Sequence, residues 1–135
     1  MKYLVDSDWV ADYLKGRQQA VDLIARLGEE GLAISMITFG EIYEGIFYGG
    51  NPRENERGFL QFLRFVDVLP LNRLVMKRFA RIRGELRHRG QLIGDPDLLI
   101  AATALQHDLT LLTRNLSHFQ RVPELKLYSS SPAKQ

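Results

Sequence analysis

The chain has 135 residues, 45% of them hydrophobic and 25% charged, and no cysteine. That length and mix fit one domain with a core of its own. They exclude general disorder, a disulfide framework, thiolate metal sites and a cysteine nucleophile. The net charge is +2, but its distribution is uneven: seven basic residues and one acid lie between Arg73 and Arg89, a local +6, and the other eleven cations and fifteen acids leave −4. No apolar run reaches the ~18 residues that a bilayer span needs. The first five residues carry one cation and lead straight into Asp6, so no secretory signal is read there. The expectation is a cytoplasmic protein with no membrane contact.

Lys2-Tyr3-Leu4-Val5 is short, apolar and stopped by an aspartate, which predicts a buried strand. Ser7 and Asp8 are cap candidates for a helix through Trp9, Val10, Tyr13 and Leu14, closed by Gly16. Ala20, Val21, Leu23, Ile24 and Leu27 give a second helix, broken by Gly28 to Gly31. Leu32-Ala33-Ile34 reads as the second strand and Ser35 as the next N-cap. Ile37, Ile42, Ile46 and Phe47 then form one buried side of a helix that ends at Gly49-Gly50. Pro52 opens another helix, with Phe59, Leu60, Leu63 and Phe65 on it, before a short strand from Val66 to Leu69. The basic segment is the next helix, with Leu74, Phe79, Ile82 and Leu86 as its apolar stripe and cations on the remaining faces. Gly94 to Asp97 reads as a turn, and Leu98 to Leu105, apolar almost all round, as a buried helix. Thr110 to Thr113 is a strand and Lys126-Leu127-Tyr128 a possible last one. Residues 1–128 thus read as a single domain and 129–135 as a loose polar tail.

Strands alternating with helices predict a three-layer α/β fold with a mainly parallel central sheet of four to five strands. In such folds the functional crevice lies beyond the carboxyl ends of the strands. Asp6 follows the first strand, Glu41 lies on the helix after the second, Asp95 and Asp97 open the buried helix, and Arg114-Asn115 follow the strand at 110–113. Carboxylates that converge repel one another and stay ionised only around a cation. Ligands that are all oxygen suit Mg²⁺, with Mn²⁺ as a substitute, rather than zinc. Ions of this kind activate water and stabilise a phosphate undergoing displacement.

Each acid also has an ordinary reading. Asp6 is a helix cap by position, Asp95 before Pro96 looks like an N-cap, and Asp97 in a first turn suits the helix dipole. Glu41 alone is a common helical glutamate, with Glu44 one turn on as the reserve. His118, a lone histidine beside an aromatic, reads as structural or surface. Thr113 and Ser7 are candidates to orient water or the Asp6 carboxylate. Most of Trp9, Tyr13, Phe39, Tyr43, Phe47 and Tyr48 read as core.

Four segments carry a resemblance: Tyr3-Leu4-Val5-Asp6-Ser7-Asp8-Trp9, Ser35-Met36-Ile37-Thr38-Phe39-Gly40-Glu41, Asp97-Leu98-Leu99-Ile100-Ala101-Ala102-Thr103-Ala104, and Leu109-Thr110-Leu111-Leu112-Thr113-Arg114-Asn115 with His118-Phe119. In this order and spacing the chain resembles PIN-domain ribonucleases over almost its whole length, most closely the VapC-type toxins of toxin–antitoxin pairs. The resemblance implies a PIN fold and a Mg²⁺-dependent endoribonuclease. Asp6, Glu41 and Asp97 would be its metal ligands and Asn115 would stand at the fourth site position. Asn115 brings no charge where many members carry Asp, and Asp8 stands where members usually carry Asn. The resemblance further implies RNA cleavage by ion-activated water with 5′-phosphate and 3′-hydroxyl products, a homodimer, and a VapB-like antitoxin docked on the first and third helices. The basic stripe, with Lys77, Arg78 and Arg81, and Arg114 beside the site, are the candidate RNA contacts.

Two alternatives fit parts of the sequence. Leu4-Val5-Asp6-Ser7-Asp8 also matches a haloacid-dehalogenase-like phosphatase with Asp6 as nucleophile, although Leu99 stands where a distal acid belongs and Lys77 lies within the basic helix. A PIN fold kept only to bind RNA or a partner is the other.

Overall fold

The computed structural model describes residues 1–129. Four strands form one parallel sheet among the described residues: β1 (Tyr3–Val5), β2 (Leu32–Ser35), β3 (Val66–Leu69) and β4 (Thr110–Leu112), in the order β3-β2-β1-β4. Helices α1 (Ser7–Leu14) and α2 (Gln18–Leu27) connect β1 to β2. Helices α3 (Met36–Phe47) and α4 (Pro52–Phe62) connect β2 to β3, α5 (Arg73–His88) and α6 (Asp95–Gln106) connect β3 to β4, and the short α7 (Leu116–Phe119) follows.

Alternation along the strands sends side chains to opposite faces, and two cores result. Tyr3, Val5, Leu32, Ile34, Val66 and Leu112 pack with apolar side chains of α1 to α4. Leu4, Ala33, Leu69 and Leu111 face the other way, onto α5, α6 and Phe119. This is the expected three-layer architecture. The all-round apolar helix, α6, is buried at Leu98, Ile100, Ala101, Ala102, Thr103 and Ala104. The last expected strand is reduced to a single parallel bridge, Leu127 to Leu111. Of the expected tail, residues 130–135 lie outside the described residues.

Several boundaries shift by one residue, each for a local reason. Asp6, rather than Ser7 or Asp8, caps α1. Gly94, rather than Asp95, is the N-cap of α6, so the expected turn at 94–97 is already helix from Asp95. Thr113 leaves the sheet, since β4 ends at Leu112. Ser35 caps α3 as expected, its hydroxyl accepting the Thr38 N–H at 3.0 Å. The buried positions of α3 are Thr38, Ile42 and Ile46, spaced by four; Phe47, a further ~100° around the helix, is 63% exposed. In α5 the stripe is Val75, Ile82 and Leu86, so Leu74, one position off it, faces outward, as do Leu60 and Phe65.

The first core has an aromatic centre. The fully buried Phe59 ring lies 5.7 Å from Phe39, 5.5 Å from Tyr43 and 6.3 Å from Phe62, centroid to centroid. Phe59→Ala is expected to cost about 3–5 kcal/mol of stability in urea unfolding. Its half-exposed neighbour makes the control: Leu60→Ala should change stability by no more than about 0.5 kcal/mol.

Candidate active site

All four strands end at one edge of the sheet. The chain leaves β1 towards β2 and returns on the other side as β4, so the order reverses between β1 and β4. A parallel sheet opens its crevice at that point. Asp6 is the first residue past β1, and its N–H donates to the Leu112 carbonyl at the end of β4, at 2.9 Å.

The Asp6 side chain is buried, with 6% of the residue exposed. Its Oδ1 accepts the Ser7 N–H at 2.8 Å and its Oδ2 accepts the Thr113 hydroxyl at 2.7 Å. Burial pushes the Asp6 carboxyl up to about 6; the negative charges of Asp8 and Asp97 push the same way, and the Thr113 and Ser7 hydrogen bonds oppose them. Glu41, exposed on α3, is tied in by Ser7, whose hydroxyl donates to Glu41 Oε1 at 2.8 Å and lies 3.4 Å from Asp6 Oδ1. On the far side, Asn115 N–H donates to the Thr113 hydroxyl at 3.1 Å, and Asn115 Nδ2 donates to Asp97 Oδ2 at 3.1 Å. One hydrogen-bonded chain therefore runs from Glu41 through Ser7, Asp6, Thr113 and Asn115 to Asp97. It joins the ends of two strands and the starts of two helices.

The four expected site residues, Asp6, Glu41, Asp97 and Asn115, all lie on this chain, and Ser7 and Thr113 orient the Asp6 carboxylate. His118 also belongs here, against its structural reading. Its Nδ1 is 3.1 Å from Asp97 Oδ2 and 2.9 Å from Asn115 Nδ2. With Nδ1 protonated it donates to Asp97; in the other tautomer it accepts from Asn115. Spacing offered a weak signal for it, one helical turn past Asn115.

Other candidates stand apart. Glu44 is exposed one turn beyond Glu41. Asp95 pairs with Arg83 at 2.9 Å. Lys77, Arg78 and Arg81 are exposed on α5, Arg78 holding Gln106 at 2.7 Å. Arg114 turns its guanidinium to Asp12 and to the Trp9 ring. Asp8 accepts two main-chain N–H groups, those of Trp9 and Arg114. A phosphatase acid–base pair needs that carboxylate free to exchange a proton with substrate, so this arrangement counts against the phosphatase alternative.

Among the described residues no three acidic or histidine side chains close around one point as a ready metal cage. The donor chemistry nonetheless fits a hard divalent cation. The carboxylates offer only oxygen, and Asp6 is a buried acid whose ionisation is opposed by two neighbouring acids, a conflict that a cation relieves.

The raised Asp6 carboxyl has a consequence with a definite sign. Below its ordinary value of 3.8 it is neutral whether folded or unfolded, and above about 6 it is charged in both states. Stability is therefore lost as pH rises through that window. In divalent-free buffer, Asp6→Asn should gain on wild type by on the order of 3 kcal/mol between pH 4 and pH 7, read by urea melts at both pH values. A difference that does not change with pH would refute the assignment.

Comparison with known proteins identifies the family and the fold. The PIN domain family model matches residues 3–125. Ribonuclease VapC1 of Methanocaldococcus jannaschii is 35% identical over 129 residues, which span 94% of this chain and 87% of that one. Ribonuclease VapC19 of Mycobacterium tuberculosis is 37% identical over 132 residues, 91% and 96% of the two chains. Among solved structures, VapBC2 from Rickettsia felis, bound to a DNA fragment from its promoter, aligns with a TM-score of 0.87 at 26% identity, over 95% of this chain and 98% of that one. VapBC-1 from nontypeable Haemophilus influenzae gives 0.84 at 28% identity, over 96% and 98%. With the four-strand parallel sheet and the acids at its switch point, these matches place the chain in the PIN-domain family, among the VapC ribonucleases.

Proposed function

We propose that this chain is a Mg²⁺-dependent endoribonuclease and the toxin of a toxin–antitoxin pair, acting in the cytoplasm. The observation that carries the reading is the hydrogen-bonded chain from Glu41 through Asp6 to Asp97, set at the strand switch point of a protein similar to VapC ribonucleases over nearly its full length. Asp6, Glu41 and Asp97 would hold the ion, with Mn²⁺ as a substitute. When bound, such an ion acidifies water and offsets charge building on a phosphate. The chain's own residues do the rest. Thr113 and the Ser7 N–H fix both oxygens of Asp6, so it need not reorganise during reaction. Asn115 orients Asp97, and His118 stands where a proton can be passed to or from that pair.

The cations of α5 suit an RNA backbone. Arg83 meets Asp95 at the start of α6, and Arg78 meets Gln106 at its end. The row therefore extends from the site end of α6 to its far end. Lys77 and Arg81 make no ion pair among the described residues and are the contacts we assign, with Arg78 beside them. The groove between α1, α3 and α4, about 610 Å³ and lined by Ala11, Leu14, Ile42 and Ile46, suits the apolar face of an antitoxin helix. Its apolar lining is aliphatic, and Lys15, Glu41, Glu54 and Arg57 add charge to the walls; the aromatics expected there pack mostly inward, except the exposed Phe47 and Tyr48. VapB-like antitoxin binding and homodimer formation complete the proposal.

Purified protein should cleave RNA with Mg²⁺ or Mn²⁺, stop with EDTA, and leave 5′-phosphate and 3′-hydroxyl ends. Asp6→Ala and Asp97→Ala should each lower the rate by at least about 10³-fold. Equal cleavage by wild type and both variants would overturn the proposal in favour of a contaminant or a purely binding module. Separately, Lys77→Ala with Arg81→Ala should weaken binding of unrelated single-stranded RNAs alike and flatten the slope of log K against log salt by about 1.4. An unchanged slope would remove α5 from the RNA path.

A further inference from the structure

Thr113 and Asn115 touch the acids of the site, yet the residue between them points elsewhere. Arg114 donates its N–H to Asp8 Oδ2 at 2.9 Å. Its guanidinium lies 4.0 Å from the Trp9 ring centroid and pairs with Asp12 Oδ2 at 2.5 Å. Asp12 Oδ1 holds Arg17 at 3.3 Å. The other Asp8 oxygen, Oδ1, accepts the Trp9 N–H at 2.7 Å. Helix α1 therefore grips residue 114 by both main chain and side chain, using Asp8, Trp9 and Asp12 from adjacent turns. Fixing the middle of a three-residue turn fixes where its flanking side chains point, because only a few dihedrals separate them. The Thr113 hydroxyl and the Asn115 amide are the two groups set by that grip.

We propose that Asp8 and Arg114 are positioning residues of the nuclease reaction, clamping the 113–115 turn to α1 so that Thr113 and Asn115 hold Asp6 and Asp97 in working orientation. This rests on the ribonuclease reading above. Asp8 accepts the main-chain N–H of Arg114, 106 residues away, which neither a cap of α1 nor an outer-sphere charge requires.

Two substitutions separate these roles. Asp8→Asn keeps one oxygen, for the Arg114 N–H, and loses the charge and the acceptor for the local Trp9 N–H; Asp8→Ala loses both oxygens. In the full-length, metal-free protein, amide hydrogen exchange at Arg114 and Asn115 should quicken by about tenfold or more in Asp8→Ala and stay near wild type in Asp8→Asn, with exchange in β1 and α6 unchanged. With Mg²⁺ and RNA, Asp8→Ala and Arg114→Ala should each lower kcat by about 10- to 100-fold, leaving KM within about threefold. Asp8→Asn should keep kcat within about threefold of wild type. The double variant should be little worse than either single one, since both open one clamp. Unaltered exchange at 114–115 in Asp8→Ala overturns the clamp. So does an Asp8→Asn protein as slow as Asp8→Ala, which would mean that the charge matters, or an Arg114→Ala protein with wild-type kcat. A wild type that cleaves no RNA with either metal sinks the ribonuclease reading, and the exchange measurement still decides whether the clamp exists.

Discussion

A carboxylate buried at the end of the central strand governs the rest of this structure. Asp6 is almost without solvent, so both its oxygens need donors from the protein. A parallel sheet whose order reverses between β1 and β4 supplies them, because it brings the Thr113 hydroxyl beside Asp6 from 107 residues away. Ser7, the first residue of α1, supplies the other. The same Ser7 reaches Glu41 and the same Thr113 receives the Asn115 N–H, so satisfying one buried acid organises the whole edge. The two cores bring α3, the 113–115 turn and the start of α6 to this edge, and the contacts of Asp6 fix how their polar side chains meet there.

The backbone meets part of the electrostatic cost. Asp6 caps α1 and Asp97 sits in the first turn of α6, so two helix N-termini present their partial positive charge to acids that otherwise repel. Each such interaction is small, roughly 0.3–1 kcal/mol at an exposed end. That is less than the penalty burial puts on Asp6, which is why its carboxyl stays raised even with a cap geometry and two hydrogen bonds in its favour. Burying Asp6 therefore costs local stability at neutral pH. The two cores that sandwich the sheet, with Phe59 and Phe62 in one and α6 in the other, hold it in place.

Much of this was legible in the sequence, and the exceptions share a cause. Strands and helices came from periodicity, Asp6 and Asn115 stood out by following strands, and the full set with Glu41 and Asp97 came from the resemblance to PIN domains. What periodicity fixes poorly is phase. Phe47 and Leu74 are each one residue off the buried row of their helix, and a sequence gives both neighbours equal standing. Asp8 and Asp95 looked like caps because capping is a local rule; their actual partners, the Arg114 main chain and the Arg83 side chain, are 106 and 12 residues away. His118 read as structural for the same reason, since its link to Asp97 is visible only once α7 has folded against α6. Arg114 read as an RNA contact because a cation beside a nuclease-like motif suggests one, and only the fold shows Trp9 and Asp12 engaging it.

The distribution of cations completes the logic of the edge. A guanidinium placed among Asp6, Glu41 and Asp97 would settle their repulsion permanently, lower the Asp6 carboxyl, and leave nothing for a metal ion to do. Two arginines are near enough in sequence or space to play that part. Arg114 follows Thr113 directly, yet it is drawn off by the face of Trp9 and by Asp12. Arg83 reaches the start of α6, where Asp95, two residues before Asp97, takes it at the surface. The cations of the α5 segment are spread around the outer faces of that helix, and among the described residues no lysine or arginine pairs with Asp6, Glu41 or Asp97. The overall charge of +2 conceals this arrangement: like charges are grouped, and the pairings that would cancel them at the site are made a few ångströms away instead.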